Sequence, residues 1–107
     1  MHTQKFVLKR LQQLVSEMKS SGIHLRRAIL YGSYARNNQH QWSDVDIALV
    51  ADEFKGDGFY DVGLFSKTLV KYHDLLVETR TYNPAQFSSG NDPLVQEILK
   101  TGIEIRI

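Results

Sequence analysis

The sequence contains no cysteine, and only two of its 107 residues are proline. The lack of cysteine excludes a disulfide scaffold, a thiolate metal site and a cysteine nucleophile. Net charge is also nearly absent, because 13 basic and 12 acidic side chains leave a formal charge of +1. There is therefore no general electrostatic reason to bind nucleic acid or an anionic membrane, and either partner would need a local basic patch.

Long hydrophobic runs are missing as well. The longest apolar stretch, residues 45–51, is interrupted by Asp46 and is far shorter than the roughly 20 residues that cross a bilayer. The first residues lead into an amphipathic pattern and not into an apolar signal segment. With 42% hydrophobic and 23% charged residues, the composition is that of a folded protein. We expect one cytoplasmic domain over residues 1–107, with no membrane partner.

Hydrophobic periodicity predicts helices and strands that alternate along the chain. Helices are predicted over residues 3–20 and 59–72, in a short turn at Phe87, and from Asp92-Pro93 to a C-cap at Gly102. Strands are predicted over residues 23–31, 44–50, 74–82 and 103–107. This order indicates the α/β (α+β) class, with a small mixed β-sheet flanked by helices.

The first motif with chemical meaning is Gly32-Ser33-Tyr34-Ala35-Arg36, which directly follows a buried strand. A strand that ends in Gly-Ser and passes into a helical turn exposes backbone N–H groups and a hydroxyl, which favours binding of a phosphate. Glycine also lets the backbone approach the anion closely. Arg36 is a candidate phosphate contact, and a solvent-facing arginine is the alternative.

The second motif is Asp44-Val45-Asp46, ten residues after Ser33. Residues two apart on a strand point to the same face, with side-chain origins about 7 Å apart. Two ionised carboxylates at this separation repel each other, and a divalent cation relieves the repulsion. Such a pair can hold two Mg²⁺ ions about 4 Å apart, as in phosphoryl or nucleotidyl transfer.

A two-metal site generally has a third carboxylate, for which the next predicted strand offers Asp74 and Glu78. An unpaired acid in the middle of a strand would be costly to bury, whereas Asp74 lies where the strand begins. We expect Glu78 to bind metal and to accept the proton of an attacking hydroxyl. Asp74 stays open as the third carboxylate, and an ion pair with Arg80 or another surface cation is the structural explanation for Glu78.

The glycine-serine motif, the ten-residue gap and the aspartate pair resemble the signature of the DNA polymerase beta-like nucleotidyltransferase superfamily. The shortness of the chain, together with residues 78–84 and 96–103, resembles its minimal nucleotidyltransferase branch. This branch often has glycine after the arginine of the first motif, where this chain has Asn37. Asparagine tolerates the left-handed backbone region, so the motif can still form.

The resemblance implies a role for each motif residue. Gly32 and Ser33 would hold a triphosphate, Asp44 and Asp46 would bind two Mg²⁺ ions, and Glu78 would complete the site. The implied reaction is Mg²⁺-dependent transfer of a nucleoside monophosphate, AMP from ATP or from another nucleoside triphosphate, to an acceptor hydroxyl.

The resemblance also implies partners. Minimal nucleotidyltransferases often act as antitoxins beside a helical HEPN-type toxin, and some transfer AMP to a tyrosine of that toxin. A one-domain chain would take its acceptor pocket from such a partner or from a second copy of itself, as a homo-oligomer. The alternative is a catalytically degenerate nucleotide-binding module that neutralises a partner protein by binding alone.

Overall fold

The computed structural model describes residues 2–107 and contains a four-stranded mixed sheet flanked by helices. The strands are β1 (Leu25–Tyr31), β2 (Val45–Ala51), β3 (Val77–Tyr82) and β4 (Ile103–Glu104). The helices are α1 (Gln4–Ser20), α2 (Gly58–Val62), α3 (Ser66–Leu69), α4 (Pro84–Ser88) and α5 (Pro93–Thr101). The predicted fold class is confirmed. None of the described helices is long and apolar enough to cross a membrane.

The sheet has the order β3-β2-β1-β4. Strand β2 pairs with β3 in parallel, while β1 pairs antiparallel with both β2 and β4. Strand β2 therefore lies between the strand that precedes the glycine-serine motif and the strand that carries Glu78. Strand β3 is an edge strand of the sheet.

Strand β2 is covered on both faces. Val45, Ile47 and Leu49 pack into the larger core, which contains the buried face of α1. Ala48 and Val50 face the opposite way, into a smaller core with residues of α4 and α5. The buried face of α1 consists of five side chains at helical spacing: Val7, Leu11, Leu14, Val15 and Met18. By strand alternation, Asp46 lies on the face of the smaller core.

The prediction of one helix over residues 59–72 is wrong. The structure has α2, α3 and a 3-10 turn at Val70–Tyr72 in its place. Gly63 ends α2, and its N–H donates to the carbonyl of Tyr60 at 3.1 Å. Phe65 then leaves the helical region, with φ −135°. The break still lets Phe65 and Tyr72 reach the larger core.

Strand ends also differ from the predictions. Strand β3 begins at Val77 and not at residue 74, and β4 has two residues in place of the five predicted over 103–107. Pairing continues briefly, because Ile105 N donates to Ala28 O at 2.8 Å. Gly102 caps α5 as predicted, but with φ −78° it is not left-handed. Glycine is needed there because a Cβ would lie 2.5 Å from the carbonyl oxygen of Ile98.

A fully buried carboxylate, Asp61, fixes the segment before α2 to the sheet. It accepts hydrogen bonds from the backbone N–H groups of Lys55 and Gly56, both at 2.9 Å, and from Thr81 Oγ1 of β3 at 2.7 Å. A buried carboxylate is tolerated only where such donors replace water. These hydrogen bonds hold the loop before α2 beside the C-terminal end of β3.

We expect Asp61→Asn to lower the free energy of unfolding by about 2 kcal/mol, because the amide brings N–H donors to a place where three donors already converge. Asp57→Asn is the matched control. Asp57 caps α2 through Phe59 N and Tyr60 N at an exposed position, and asparagine caps helices equally well, so its loss should stay within about 0.5 kcal/mol. Urea denaturation measures both, and equal losses would contradict the role given to Asp61.

Candidate active site

Three carboxylates from two neighbouring strands meet at one end of the sheet. Asp44 directly precedes β2, Asp46 lies within it, and Glu78 lies in β3. Asp46 and Glu78 are register partners in the parallel pair, so their side chains lie next to each other on one face. One oxygen from each of the three carboxylates lies within 4.8 Å of the others. The cluster has the size of a cation site.

Asp74, the alternative third carboxylate, lies elsewhere. It precedes β3 and forms an ion pair with Arg10 of α1, whose Nη2 is 2.8 Å from its Oδ1. The hydrogen bond from this guanidinium lowers the pKa of Asp74 below its ordinary value. The structure thus brings Glu78, and not Asp74, beside the aspartate pair.

The electrostatics of the cluster favour a bound cation. The pKa of Asp46 is raised, first by burial and then by the negative charges of Glu78 and Asp44. Arg80 and Arg36 oppose this rise through their positive charge. In residues 2–107, no salt bridge joins any of the three carboxylates to a cationic side chain. Carboxylate oxygens are the ligands that Mg²⁺ prefers, so the three residues fit a divalent metal.

Arg80 does not form the ion pair with Glu78 that would have given that acid a purely structural role. It lies beside the hydroxyl of Tyr31, and this contact is the main cause of the raised pKa of Arg80. Tyr31 is in turn the register partner of Asp46 on β1. Arg80 therefore sits on the same face as the acidic cluster and is part of its surroundings.

The glycine-serine segment borders the acidic cluster directly. Gly32 has φ +77°, and a Cβ at this position would overlap the carboxylate of Asp46. The chain then makes one helical turn, in which Arg36 N donates to Gly32 O at 3.2 Å. Ser33 is half-buried beside Gly32, while Arg36 is exposed. The segment that can bind a phosphate and the cluster that can bind a cation therefore share a boundary.

Two further residues shape this segment. Asn37 has φ +56°, the left-handed conformation expected of the residue that replaces glycine. Gln4, at the start of α1, donates through Nε2 to the carbonyl oxygens of Tyr34 at 2.8 Å and Ala35 at 3.2 Å. Gln4 could not be found from the sequence, because a glutamine in the first turn of a helix carries no sign of a distant partner.

A family model described as a nucleotidyltransferase domain matches residues 8–105. The chain therefore belongs to the nucleotidyltransferase domain family, and the expected resemblance is confirmed. A protein of Methanocaldococcus jannaschii, provisionally named as a protein adenylyltransferase, is 37% identical over 65 residues. The match covers 60% of this chain and 62% of the relative, so the chain spans less than two thirds of that protein's length.

Solved structures show the same fold. A protein from Sulfolobus solfataricus, provisionally described as a nucleotidyltransferase, has a TM-score of 0.66 at 20% identity, with coverage of 94% of this chain and 80% of that chain. A toxin-antitoxin structure with AMP-PNP has a TM-score of 0.64 at 24% identity, and a mutant MntA-HpeT toxin-antitoxin structure has 0.61 at 20%. Each of these two matches covers 89% of this chain and 72% of the other. At these identities the likeness establishes the fold.

We expect Gly32→Ala to weaken Mn²⁺ binding at the acidic cluster by at least about tenfold, because the new methyl group displaces the Asp46 carboxylate. Gly90→Ala is the matched control. Gly90 has nearly the same φ, +76°, so alanine there carries the same backbone strain of about 1–2 kcal/mol. The space around Gly90 is open, so its new methyl group displaces no carboxylate. Calorimetric titration with Mn²⁺ compares the two, and equal affinities would show that Gly32 does not control the cluster.

Proposed function

We propose that this chain is a Mg²⁺-dependent nucleotidyltransferase that transfers AMP from ATP to an acceptor hydroxyl and releases pyrophosphate. The observation that carries the proposal is the convergence of Asp44, Asp46 and Glu78 beside Gly32. Membership of the nucleotidyltransferase domain family supports it, as does the name of the Methanocaldococcus jannaschii relative. The bound AMP-PNP of one fold neighbour supports an adenine nucleotide as the substrate.

The substrate triphosphate would lie along the turn after β1. Gly32 leaves room for it next to the Asp46 carboxylate, Ser33 offers a hydroxyl and a backbone N–H, and Arg36 offers an exposed positive charge. Asp44, Asp46 and Glu78 would hold two Mg²⁺ ions. When bound, the ions supply charge neutralisation for the phosphates.

The transfer itself exchanges one phosphorus–oxygen bond for another. The acceptor oxygen bonds to the α-phosphorus, the bond from that phosphorus to the pyrophosphate oxygen breaks, and pyrophosphate leaves. The proton of the acceptor hydroxyl passes to the carboxylate of Glu78, which lies in the exposed edge strand where an acceptor can approach.

The acceptor is proposed to be a protein, with a tyrosine of a helical HEPN-type toxin as the first candidate. The toxin-antitoxin assemblies among the fold neighbours support an antitoxin role. We also propose that residues 1–107 act as one domain. The acceptor would then be supplied by the partner or by a second copy of this chain.

We expect Asp46→Asn and Glu78→Gln each to reduce AMP transfer by at least about 100-fold, because each removes a metal ligand or the proton acceptor. Asp74→Asn is the control, since Asp74 is held by Arg10 away from the cluster. The assay incubates each variant with Mg²⁺, α-labelled ATP and the candidate partner, which is the protein encoded next to this chain's own gene. It then measures the label transferred to protein. Without metal, Asp46→Asn should unfold no more easily than wild type, because it removes a repelled, partly buried charge.

Three outcomes separate the candidate functions. Label transfer that depends on Asp46 and Glu78 supports the enzyme. Metal-dependent nucleotide binding by calorimetry with partner binding but no label transfer supports a binding module that neutralises its partner by contact. A wild-type chain that binds no nucleotide in the presence of Mg²⁺ contradicts both.

A further inference from the structure

The outer edge of β3 carries backbone groups that are free to pair. Val45 N donates to Leu76 O at 2.7 Å, so the backbone of residue 76, and of alternate residues after it, faces β2. The N–H and C=O groups of Val77, Thr79 and Thr81 consequently point away from the sheet. Across residues 2–107, no hydrogen bond reaches these outward groups.

Natural proteins commonly protect such an edge with a proline, a bulge or a covering segment. Strand β3 contains no proline, and its register with β2 runs from Val77 to Tyr82 without a shift. At Thr81, which is buried, the loop before α2 packs against the strand through Asp61. From Val77 to Thr79 the edge is straight and suited to pairing with another strand.

A cleft of about 850 Å³ runs along this edge. Residues 79–82 line it together with two other segments: Gly56 and Gly58 from the loop before α2 and its first turn, and Ala85 and Ser89 of the α4 region. Gln86 Nε2 donates to Lys55 O at 3.1 Å and joins these two segments. Small side chains thus leave space for a chain beside the strand.

The cleft and the acidic cluster are built on consecutive residues. Thr79 lines the cleft, while the preceding residue, Glu78, belongs to the cluster. A strand added to β3 would lie about 4.8 Å away, and the side chain opposite Glu78 would begin about 5 Å from that of Glu78. A hydroxyl on that side chain would lie beside the proposed proton acceptor.

We propose that the acceptor is an extended protein segment that binds as an added strand along β3 and presents a tyrosine, serine or threonine hydroxyl to Glu78. The inference rests on the proposed transfer reaction and names its substrate class. In the transfer, the hydroxyl oxygen bonds to the α-phosphorus of ATP, pyrophosphate leaves, and the proton passes to Glu78. Addition of a strand takes its affinity from backbone hydrogen bonds, which the outward groups of residues 77 and 79 provide.

A protein segment fits this edge better than a small molecule does. The free donors and acceptors recur every second residue, which is the spacing of a paired strand. Phe59, which follows Gly58 of the cleft, is 93% exposed, and an approaching protein would cover this large apolar side chain.

The test is Thr79→Pro, which removes an outward N–H and leaves the pairing with β2 intact, as proline does on edge strands. Thr79→Val, which keeps the N–H and the side-chain shape, is the matched control. Peptides with a central tyrosine, serine or threonine are selected from a display library on the wild-type chain with Mg²⁺ and AMP-PNP. They should bind Thr79→Val as tightly as wild type and Thr79→Pro at least about tenfold more weakly.

Calorimetric binding of Mg²⁺ and AMP-PNP to wild type separates the two proposals. If wild type binds no nucleotide, the proposed function fails. If it does, but no peptide is selected or the peptides bind Thr79→Pro as well as Thr79→Val, only the strand-addition inference fails. Should Thr79→Pro not fold, hydrogen exchange on wild type replaces it: bound peptide must slow exchange at the N–H groups of Val77 and Thr79, and unchanged exchange would overturn the inference.

Discussion

The parallel pairing of β2 with β3 is the constraint on which the rest of the site depends, because its register sets Asp46 beside Glu78. Two neighbouring carboxylates repel each other, and the raised pKa of Asp46 records that repulsion together with partial burial. The sheet withstands this cost because β2 is buried on both faces by two hydrophobic cores. A cation bound by the pair would remove the repulsion, so the register of β2 and β3 makes these carboxylates a candidate metal site.

The turn that we propose binds phosphate borders the same pair at Gly32. Its missing side chain is what lets the turn and the Asp46 carboxylate occupy adjacent space. The turn is also held from the other side by Gln4, which donates to Tyr34 O and Ala35 O. The position of the turn therefore depends on the packing of α1, whose buried face is part of the larger core. Stability and nucleotide binding are expected to respond together when that packing is disturbed.

Sequence alone could predict α1, the strand order along the chain and both motifs, because helical periodicity and buried runs are local signals. It favoured Glu78 as the third carboxylate but had to leave Asp74 open, since strand parity places both on one face and only the register with β2 and the ion pair with Arg10 separate them. The error over residues 59–72 has the same origin. The hydrophobic spacing stays helical across Gly63, where α2 ends, and the contacts of Asp61 with Lys55, Gly56 and Thr81 are tertiary and leave no local mark.

The distribution of charge explains how a chain with a net charge of +1 can contain a cluster of unpaired acids. Five acids outside the cluster have cationic or histidine partners, in the pairs Asp74–Arg10, Glu53–His24, Asp52–Arg26, Glu104–Arg27 and Glu17–Lys71. Within residues 2–107 the three clustered carboxylates have no salt bridge, although Arg36 and Arg80 are close enough to lower the pKa of Asp46. Both arginines thus stay available for phosphate or acceptor, while the acids stay available for metal. A cluster that served only the fold would be expected to use these arginines as ion-pair partners, because pairing lowers the cost of burying charge.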